Sequence, residues 1–256
     1  MRIVVMGGTG QVGRMVVERL ERHAQAVVVA SPTSGVDART GRGLDSALEY
    51  ADAVIDVTNS PDLAGPAARA FFEESTQRLL DAEERAGVKH HVLLSIVGAD
   101  HAGADGYFAA KRAQERLVQT GPIPHSILRS TQFYDFARVI AGWNTIADTV
   151  RLPSKPVQPI AASDVAEVLV EMATGTPLGG AMDVGGPEKL LLPEFVHRVL
   201  RTDHDPRYVV EDDEITPVGF NISGDSLLPH APLRLGPTTL ESWVHDEGRR
   251  RLVGSR

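Results

Sequence analysis

The chain has 256 residues, of which 42% are hydrophobic and 23% charged, and such a composition excludes a wholly disordered or fibrous protein. Its 26 basic and 34 acidic side chains give a formal net charge of −8, so nucleic acid is not an expected partner. The absence of cysteine excludes disulfides, thiolate metal sites and a cysteine nucleophile. With no long apolar run and no signal peptide, we expect a cytoplasmic protein without a membrane partner.

Strands and helices alternate along the first part of the chain. Apolar runs predict strands at 3–6, 26–30, 53–57, 92–96 and 125–129. Helical spacing of apolar residues predicts helices after Gly13 and over 61–86, 107–119 and 131–147. This alternation predicts an α/β fold, a Rossmann-type doubly wound parallel sheet with helices on both faces.

The pattern is weaker in the second part of the chain. It predicts short strands near Val150 and Val157, helices over 163–172 and 193–200, and strands over 182–184 and 208–210. Because no linker interrupts the chain, we expect a single NAD(P)-binding domain over 1–256. Its parts are a Rossmann core over 1–150, a small C-terminal substrate lobe over 151–245 and a tail over 246–256.

A glycine-rich segment lies between the first strand and the first helix. Gly7, Gly10 and Gly13 allow a tight turn, a close approach of phosphate to backbone amides, and packing of the helix on the strand. The helix N-terminus favours the negative charge of a pyrophosphate. The alternative is a glycine-rich turn without a ligand. The predicted dinucleotide-binding residues are Gly7, Thr9, Gly10, Gln11, Val12 and Gly13.

The end of the second strand bears on the choice between NAD and NADP. The segment Ala30-Ser31-Pro32-Thr33-Ser34 has neither the acid that binds the ribose of NAD nor a base for the phosphate of NADP. Its hydroxyls, Ser31 first among them, permit a 2′-phosphate, and Arg14 lies just past the glycine loop. The segment therefore favours NADP, with NAD possible, unless these small residues only form a turn.

Two further candidates follow the third strand. Asn59 and Ser60 come after its carboxyl end, where a side-chain amide or hydroxyl can contact the adenosine of a cofactor. Either residue can instead cap the following helix through its side-chain oxygen. The two roles are compatible, so both residues are predicted to bind the cofactor.

Ser95, Tyr107 and Lys111 carry the predicted chemistry. Tyr107 and Lys111 are one helical turn apart and share a helix face, so the ammonium can stabilise a phenolate. A free tyrosine has a pKa of about 10, and a nearby cation lowers this pKa towards neutral pH. Ser95, at the end of the fourth strand, can hold a substrate oxygen. The alternative for the Tyr-Lys pair is an ordinary helix surface.

The chain resembles the short-chain dehydrogenase/reductase superfamily, and within it the atypical NmrA-like branch. The resemblance covers about residues 1–245 and is carried by the segments 7–13, 56–61, 86–91, 94–98, 129–133, 158–160 and 163–166. It implies a Rossmann domain with a C-terminal substrate lobe. It also implies that Ser95, Tyr107 and Lys111 are catalytic and that Lys111 bonds the nicotinamide ribose. Members include quinone and dye reductases and redox-sensing regulators that bind the cofactor without turnover.

The predicted substrate residues are Gln132, Phe133 and Tyr134, which follow the fifth strand and should reach the edge of a pocket. An aromatic wall suits a planar substrate, although these aromatics can also belong to a helix core. No residues have metal-ligand spacing. We therefore expect an NAD(P)(H)-dependent oxidoreductase that transfers hydride to or from a carbonyl, quinone or related small organic substrate. The alternatives are a cofactor-sensing regulator and a non-redox epimerase, cyclase or dehydratase.

Overall fold

A computed structural model describes residues 1–101, 106–215 and 225–254, without the side chains of 248–254. Its strands are β1 (Arg2–Met6), β2 (Ala26–Ala30), β3 (Ala53–Asp56), β4 (His90–Ile96), β5 (His125–Ser130), β6 (Thr145–Ile146), β7 (Thr149–Leu152), β8 (Pro156–Val157), β9 (Gly180–Gly185), β10 (Leu190–Leu191), β11 (Tyr208–Glu211) and β12 (Leu233–Leu235). Its α-helices are α1 (Gln11–Arg22), α2 (Leu44–Leu48), α3 (Gly65–Ala86), α4 (Gly106–Thr120), α5 (Phe136–Trp143), α6 (Ala162–Thr174), α7 (Leu192–Thr202) and α8 (Leu240–Gly254).

Seven strands form one sheet in the order β2-β1-β3-β4-β5-β9-β12. β1 pairs in parallel with β2 and β3, so that Val4 is aligned with Val28 and Val54. Ile3, Val4 and Val5 are fully buried, as expected for a strand whose two faces are both covered. The predicted parallel α/β sheet of Rossmann type is therefore confirmed.

Within the described ranges, β2 is the edge strand and no further strand pairs with its outer side. Between Ala30 and Ala53, a stretch described throughout, the chain forms only a 3₁₀ turn (Pro32–Ser34) and the short helix α2. The chain crosses from β2 past β1 to β3, and such a reversal of strand order creates a crevice at the carboxyl ends of the strands. The turn after β1 lies at this position, which is where open α/β sheets bind ligands.

Contacts within the chain define two compact units. The first comprises Met1–Arg129 and Val165–Met182, and the second comprises Ser130–Asp164 and Asp183–Arg256. In the first unit α3 packs along α4. The second unit contains a three-stranded sheet in the order β11-β7-β6 and the antiparallel pair β10-β8. This division differs from the predicted boundary at residue 150.

One sequence-based expectation about a helix is wrong. The helix predicted over 131–147 is confined to α5, because the chain before it is extended and pairs with another segment of the second unit. Phe133 forms a parallel bridge with Ile160, and the Ile160 amide donates to the Gln132 carbonyl at 2.9 Å. The tail expected from residue 246 is helical as far as Gly254, and residues 255–256 lie outside the described part. Among the described helices, none combines the length and apolarity that crossing a membrane requires.

Candidate functional site

The glycine loop has the geometry of a phosphate cradle. Gly7 has φ of +78°, and a Cβ there would lie 2.9 Å from the Val57 carbonyl oxygen, so only glycine fits without strain. A Cβ on Gly13 would lie 2.2 Å from the Gly7 oxygen, because α1 packs directly on the loop. Gly10 is the N-cap of α1 and offers no side-chain cap, and no acid lies in the first turn. The positive end of the helix is thus left for an anion, and these residues fit a dinucleotide.

The other predicted cofactor residues of this region differ in exposure and in the hydrogen bonds of their side chains. Thr9, Gln11 and Arg14 are exposed, whereas Val12 is buried. The Arg14 side chain forms no hydrogen bond or ion pair with any described residue, so its guanidinium has no competing partner there. The Ser31 hydroxyl bonds Thr33 Oγ1 at 2.9 Å and forms a capping box with Ser34. The structure thus shows the self-contained turn that was the alternative for this segment.

The Asn59 side chain, which follows β3, forms a hydrogen bond with a side chain of α4. Its Oδ1 accepts from the Ser60 amide at 2.9 Å and from the Tyr107 hydroxyl at 2.8 Å. The Ser60 hydroxyl donates to the Asp62 carbonyl at 2.6 Å. Neither side chain caps α3, whose N-cap is Ala64. The alternative of helix capping is thus not realised, because the helix begins several residues later than predicted. Binding of cofactor by these two residues stays a prediction.

Tyr107 lies in the first turn of α4, where α3 and α4 approach closely. A Cβ on Gly65 would lie only 2.9 Å from the Gly106 Cα, and this proximity brings the Tyr107 ring against Phe72, edge to face at 5.9 Å between centroids. The side chain is partly exposed. Burial raises the pKa of Tyr107 well above its usual range. The phenol is therefore protonated at neutral pH.

Lys111 is one turn further along α4 and is only 3% exposed. Its ammonium donates to the Leu94 carbonyl at 2.9 Å and to Gln114 Oε1, and it lies 4.5 Å from the centroid of the Phe72 ring. Burial lowers its pKa to about 8, although nearby acids act in the opposite direction. The expectation that Lys111 keeps the pKa of Tyr107 low is not met, because the ammonium is directed at β4 and Gln114 while burial dominates the tyrosine.

Four buried hydroxyls lack a hydrogen-bond partner among the described residues, and two of them, those of Ser95 and Thr58, follow or lie within strand ends of the site. Ser95 is 4% exposed, and its Oγ contacts no acceptor or donor, although it directly follows the Leu94 carbonyl that Lys111 bonds. Thr58 Oγ1 is likewise unpartnered, and the Thr58 backbone nitrogen borders Gly7. A buried polar atom without a partner costs about 1–3 kcal/mol. Both hydroxyls are thus ready to bond a ligand. Sequence reasoning missed Thr58, although its place after β3 was a signal.

The predicted substrate residues lie in the second unit. Gln132 is 4% exposed, and neither polar atom of its side-chain amide has a hydrogen-bond partner in the part of the chain that the structure describes. Phe133 is partly exposed. Tyr134 is 1% exposed, donates to the Thr238 carbonyl at 2.8 Å and packs on aromatic rings. Tyr134 thus belongs to the core of this unit instead of a pocket edge, whereas Gln132 has an amide free to bond a ligand.

The adjacent histidines of β4 have separate partners. His90 Nε2 bonds the Ser126 hydroxyl at 2.8 Å, and His91 Nδ1 bonds the buried Glu83 carboxylate at 2.9 Å. Neighbouring residues of a strand point to opposite faces, so the two rings cannot share one ion. Within 1–101, 106–215 and 225–254, no three His, Cys, Asp or Glu side chains are grouped as metal ligands.

Solved structures of other proteins share this fold. A short-chain dehydrogenase/reductase superfamily protein from Agrobacterium tumefaciens with bound NAD is 19% identical, with a TM-score of 0.72 over 100% of this chain and 99% of that one. A dTDP-4-dehydrorhamnose reductase from Bacillus anthracis in complex with NADP is 13% identical, with a TM-score of 0.70 over 100% and 99%. A UDP-N-acetylglucosamine 4-epimerase from Bacillus cereus is 17% identical, with a TM-score of 0.72 over 97% and 96%.

At these identities the similarity establishes the fold, which is that of short-chain dehydrogenase/reductases, as the resemblance had implied. No curated protein matches the chain significantly in sequence. The model of one family does match, over residues 7–176, which is more than half of the chain and includes the glycine loop, Ser95, Tyr107 and Lys111. The chain therefore belongs to the NAD(P)H-binding family.

Proposed function

We propose that the protein is an NAD(P)(H)-dependent oxidoreductase that reduces a carbonyl, quinone or related small organic substrate, with Tyr107 as the proton donor. The observation that carries this proposal is the Tyr107 phenol itself. It is partly exposed, it is held by Asn59 at the end of β3, and burial raises its pKa so that it keeps its proton. A protonated phenol suits reduction, because oxidation of an alcohol would need the phenolate as a base.

The cofactor would be held by the first unit. Gly7, Gly10 and Gly13, with the N-terminus of α1, would bind the pyrophosphate. Thr58, whose hydroxyl is unpartnered, borders Gly7 through its backbone nitrogen. Arg14 would pair with a 2′-phosphate, which favours NADP over NAD. When bound, the nicotinamide supplies the hydride for the reduction.

The chain's own residues would manage the oxygen of the substrate. Reduction of the carbonyl would break its C=O π bond and leave an electron pair on the oxygen. The Tyr107 O–H bond then breaks and its proton forms the new O–H bond, giving an alcohol and a phenolate that recovers a proton from water. The unpartnered Ser95 hydroxyl would orient the substrate oxygen. The Lys111 cation, one turn further along α4 and bonded to the Leu94 carbonyl and Gln114, would act on the transient phenolate only through its field.

Replacement of the phenol tests the proposal. NAD(P)H oxidation is followed with a panel of aldehydes, ketones and quinones, for the unmodified protein and for Tyr107→Phe. Loss of a general acid typically lowers turnover by about 100- to 10,000-fold, while cofactor affinity measured by calorimetry should stay the same. Tyr208→Phe is the matched control, because that side chain is 68% exposed and its loss should change neither quantity.

The alternatives give different results in the same assays. A cofactor-sensing regulator would bind NAD(P)H and oxidise it with no substrate of the panel. An epimerase would convert a substrate without net cofactor consumption. Full activity of Tyr107→Phe on a turned-over carbonyl would refute the role given to Tyr107 and leave the cofactor site intact.

A further inference from the structure

A buried chain of polar groups runs from Lys111 to β3. The Lys111 ammonium donates to Gln114 Oε1, and Gln114 Nε2 donates to Asp56 Oδ2 at 3.1 Å. An ammonium can only donate and a carboxylate can only accept, so the two ends determine the orientation of the amide between them. The second oxygen of Asp56 accepts from the Thr58 amide at 2.9 Å. Asp56 is 2% exposed, so this end of the chain of polar groups is closed to solvent.

Asp56 and Glu115 both favour the charged form of Lys111. Of these two acids, only Asp56 lacks an ion pair with a described arginine. Glu115 is paired with Arg129 through two hydrogen bonds of 2.9 and 2.7 Å. Arg129 also pairs with Asp100, but that side chain is half exposed, so Glu115 still has a cation in direct contact. Asp56 has no ion pair with any described residue and bonds only amides. A buried charge without a counter-ion is strongly unfavourable. Lys111 and Asp56 therefore balance each other across the Gln114 amide.

The other groups that lie near Lys111 and Asp56 do not serve as counter-ions of Lys111. The Leu94 carbonyl of β4 and the Phe72 ring of α3 contact the ammonium and carry no net charge. The Glu83 carboxylate and the His91 imidazole are within electrostatic range of Asp56, but they are bonded to each other at 2.9 Å. None of these groups replaces Asp56 as the counter-ion of Lys111.

We propose that Gln114 and Asp56 are positioning residues that keep Lys111 charged and directed along the β4 edge of the site. Lys111 is desolvated, but its cation persists at neutral pH because it bonds the Gln114 amide, which in turn bonds the Asp56 carboxylate. This inference rests on the proposed function only in giving Lys111 a part in the reaction. It follows that activity is lost at alkaline pH as Lys111 loses its proton, and that removing the support moves this loss to lower pH.

Direct titration of Lys111 tests the inference without any substrate. The chain has only four lysines, at 89, 111, 155 and 189, so 13C-labelled lysine gives four resolvable signals, and Lys111→Met identifies the relevant one. Gln114→Leu and Asp56→Asn should each lower the pKa of Lys111 by about one unit or more. Gln114→Glu should raise it, because a carboxylate then contacts the ammonium directly. Gln119→Leu, an exposed change on the same helix, should leave it unchanged.

Thermal melts establish which variants are folded before they are titrated. If Gln114→Leu fails to fold, the inference is tested by the pKa of Lys111 in the other two variants, which should be lower in Asp56→Asn and higher in Gln114→Glu. A pKa of Lys111 that is the same in the folded variants as in the unmodified protein would overturn the inference. Because the titration needs neither cofactor nor turnover, its result is independent of the Tyr107→Phe assay, and failure of either leaves the other standing.

Discussion

Replacement of single glycines in the cofactor loop should separate ligand binding from folding. A Cβ on Gly13 would lie 2.2 Å from the Gly7 oxygen and 2.7 Å from the Gly8 Cα. Both are backbone atoms, so α1 must move away from the loop. Such overpacking costs about 1–3 kcal/mol, and for a chain of this size each kcal/mol lowers Tm by about 2–4 °C. Gly13→Ala should therefore lower Tm by roughly 2–12 °C and also weaken cofactor binding.

Gly10→Val should instead abolish cofactor binding with little change in Tm. A Cβ on Gly10 meets only the Gly7 oxygen, at 3.2 Å, so the fold can accommodate it, but the added methyl groups occupy the N-terminus of α1. Calorimetric titration with NADPH and NADH measures the affinity, and a melt without ligand measures the stability. Gly142→Ala is the control, because nothing lies within 4 Å of its Cβ. Unchanged cofactor affinity in Gly10→Val would refute the assignment of the pyrophosphate site.

Two further predictions concern charges. Arg14→Ala should weaken binding of NADPH more than that of NADH in parallel titrations, because the exposed guanidinium has no described partner to hold it elsewhere, and equal losses would contradict the assignment of the 2′-phosphate. Glu83→Gln should lower the free energy of unfolding, measured by urea denaturation, by about 3–5 kcal/mol, because His91 then stays buried without its carboxylate partner. Burial raises the pKa of Glu83; burial alone would lower that of His91, but the charge and hydrogen bond of Glu83 raise it. The folded protein thus holds more protons at this pair, whose contribution falls as pH rises, from about 4.5 for Glu83 and from about 6.5 for His91. A stability difference between parent and variant that grows with pH would contradict this.

The cofactor loop and the core strands were predictable because their signals are local. The spacing of Gly7, Gly10 and Gly13 and the apolar runs of β1 to β5 depend on backbone geometry over a few residues. The pairing of Tyr107 with Lys111 on one face of α4 follows from the helical period alone. All of these features are confirmed as structure, and the family match supports the cofactor class.

The helix predicted over 131–147 shows where local signals are insufficient. An apolar, helix-compatible segment pairs instead with Ile160, a residue remote in the sequence. Tyr134 is in the core for a similar reason, because α7 and α8 supply the rings of Phe195 and Trp243 against which it packs. Nothing within the segment itself indicates these partners.

The environment of the catalytic candidates was decided by the tertiary structure. The Lys111 ammonium bonds a carbonyl 17 residues away, and the amide of Gln114 meets a carboxylate 58 residues away. Sequence spacing shows that a lysine and a tyrosine share a face, but the pKa of each depends on desolvation and on charges that strand order brings near. The residues and the loop were thus determined by local backbone geometry, whereas the protonation of Tyr107 and the counter-ion of Lys111 arise only when β3, β4, α3 and α4 pack together and exclude water.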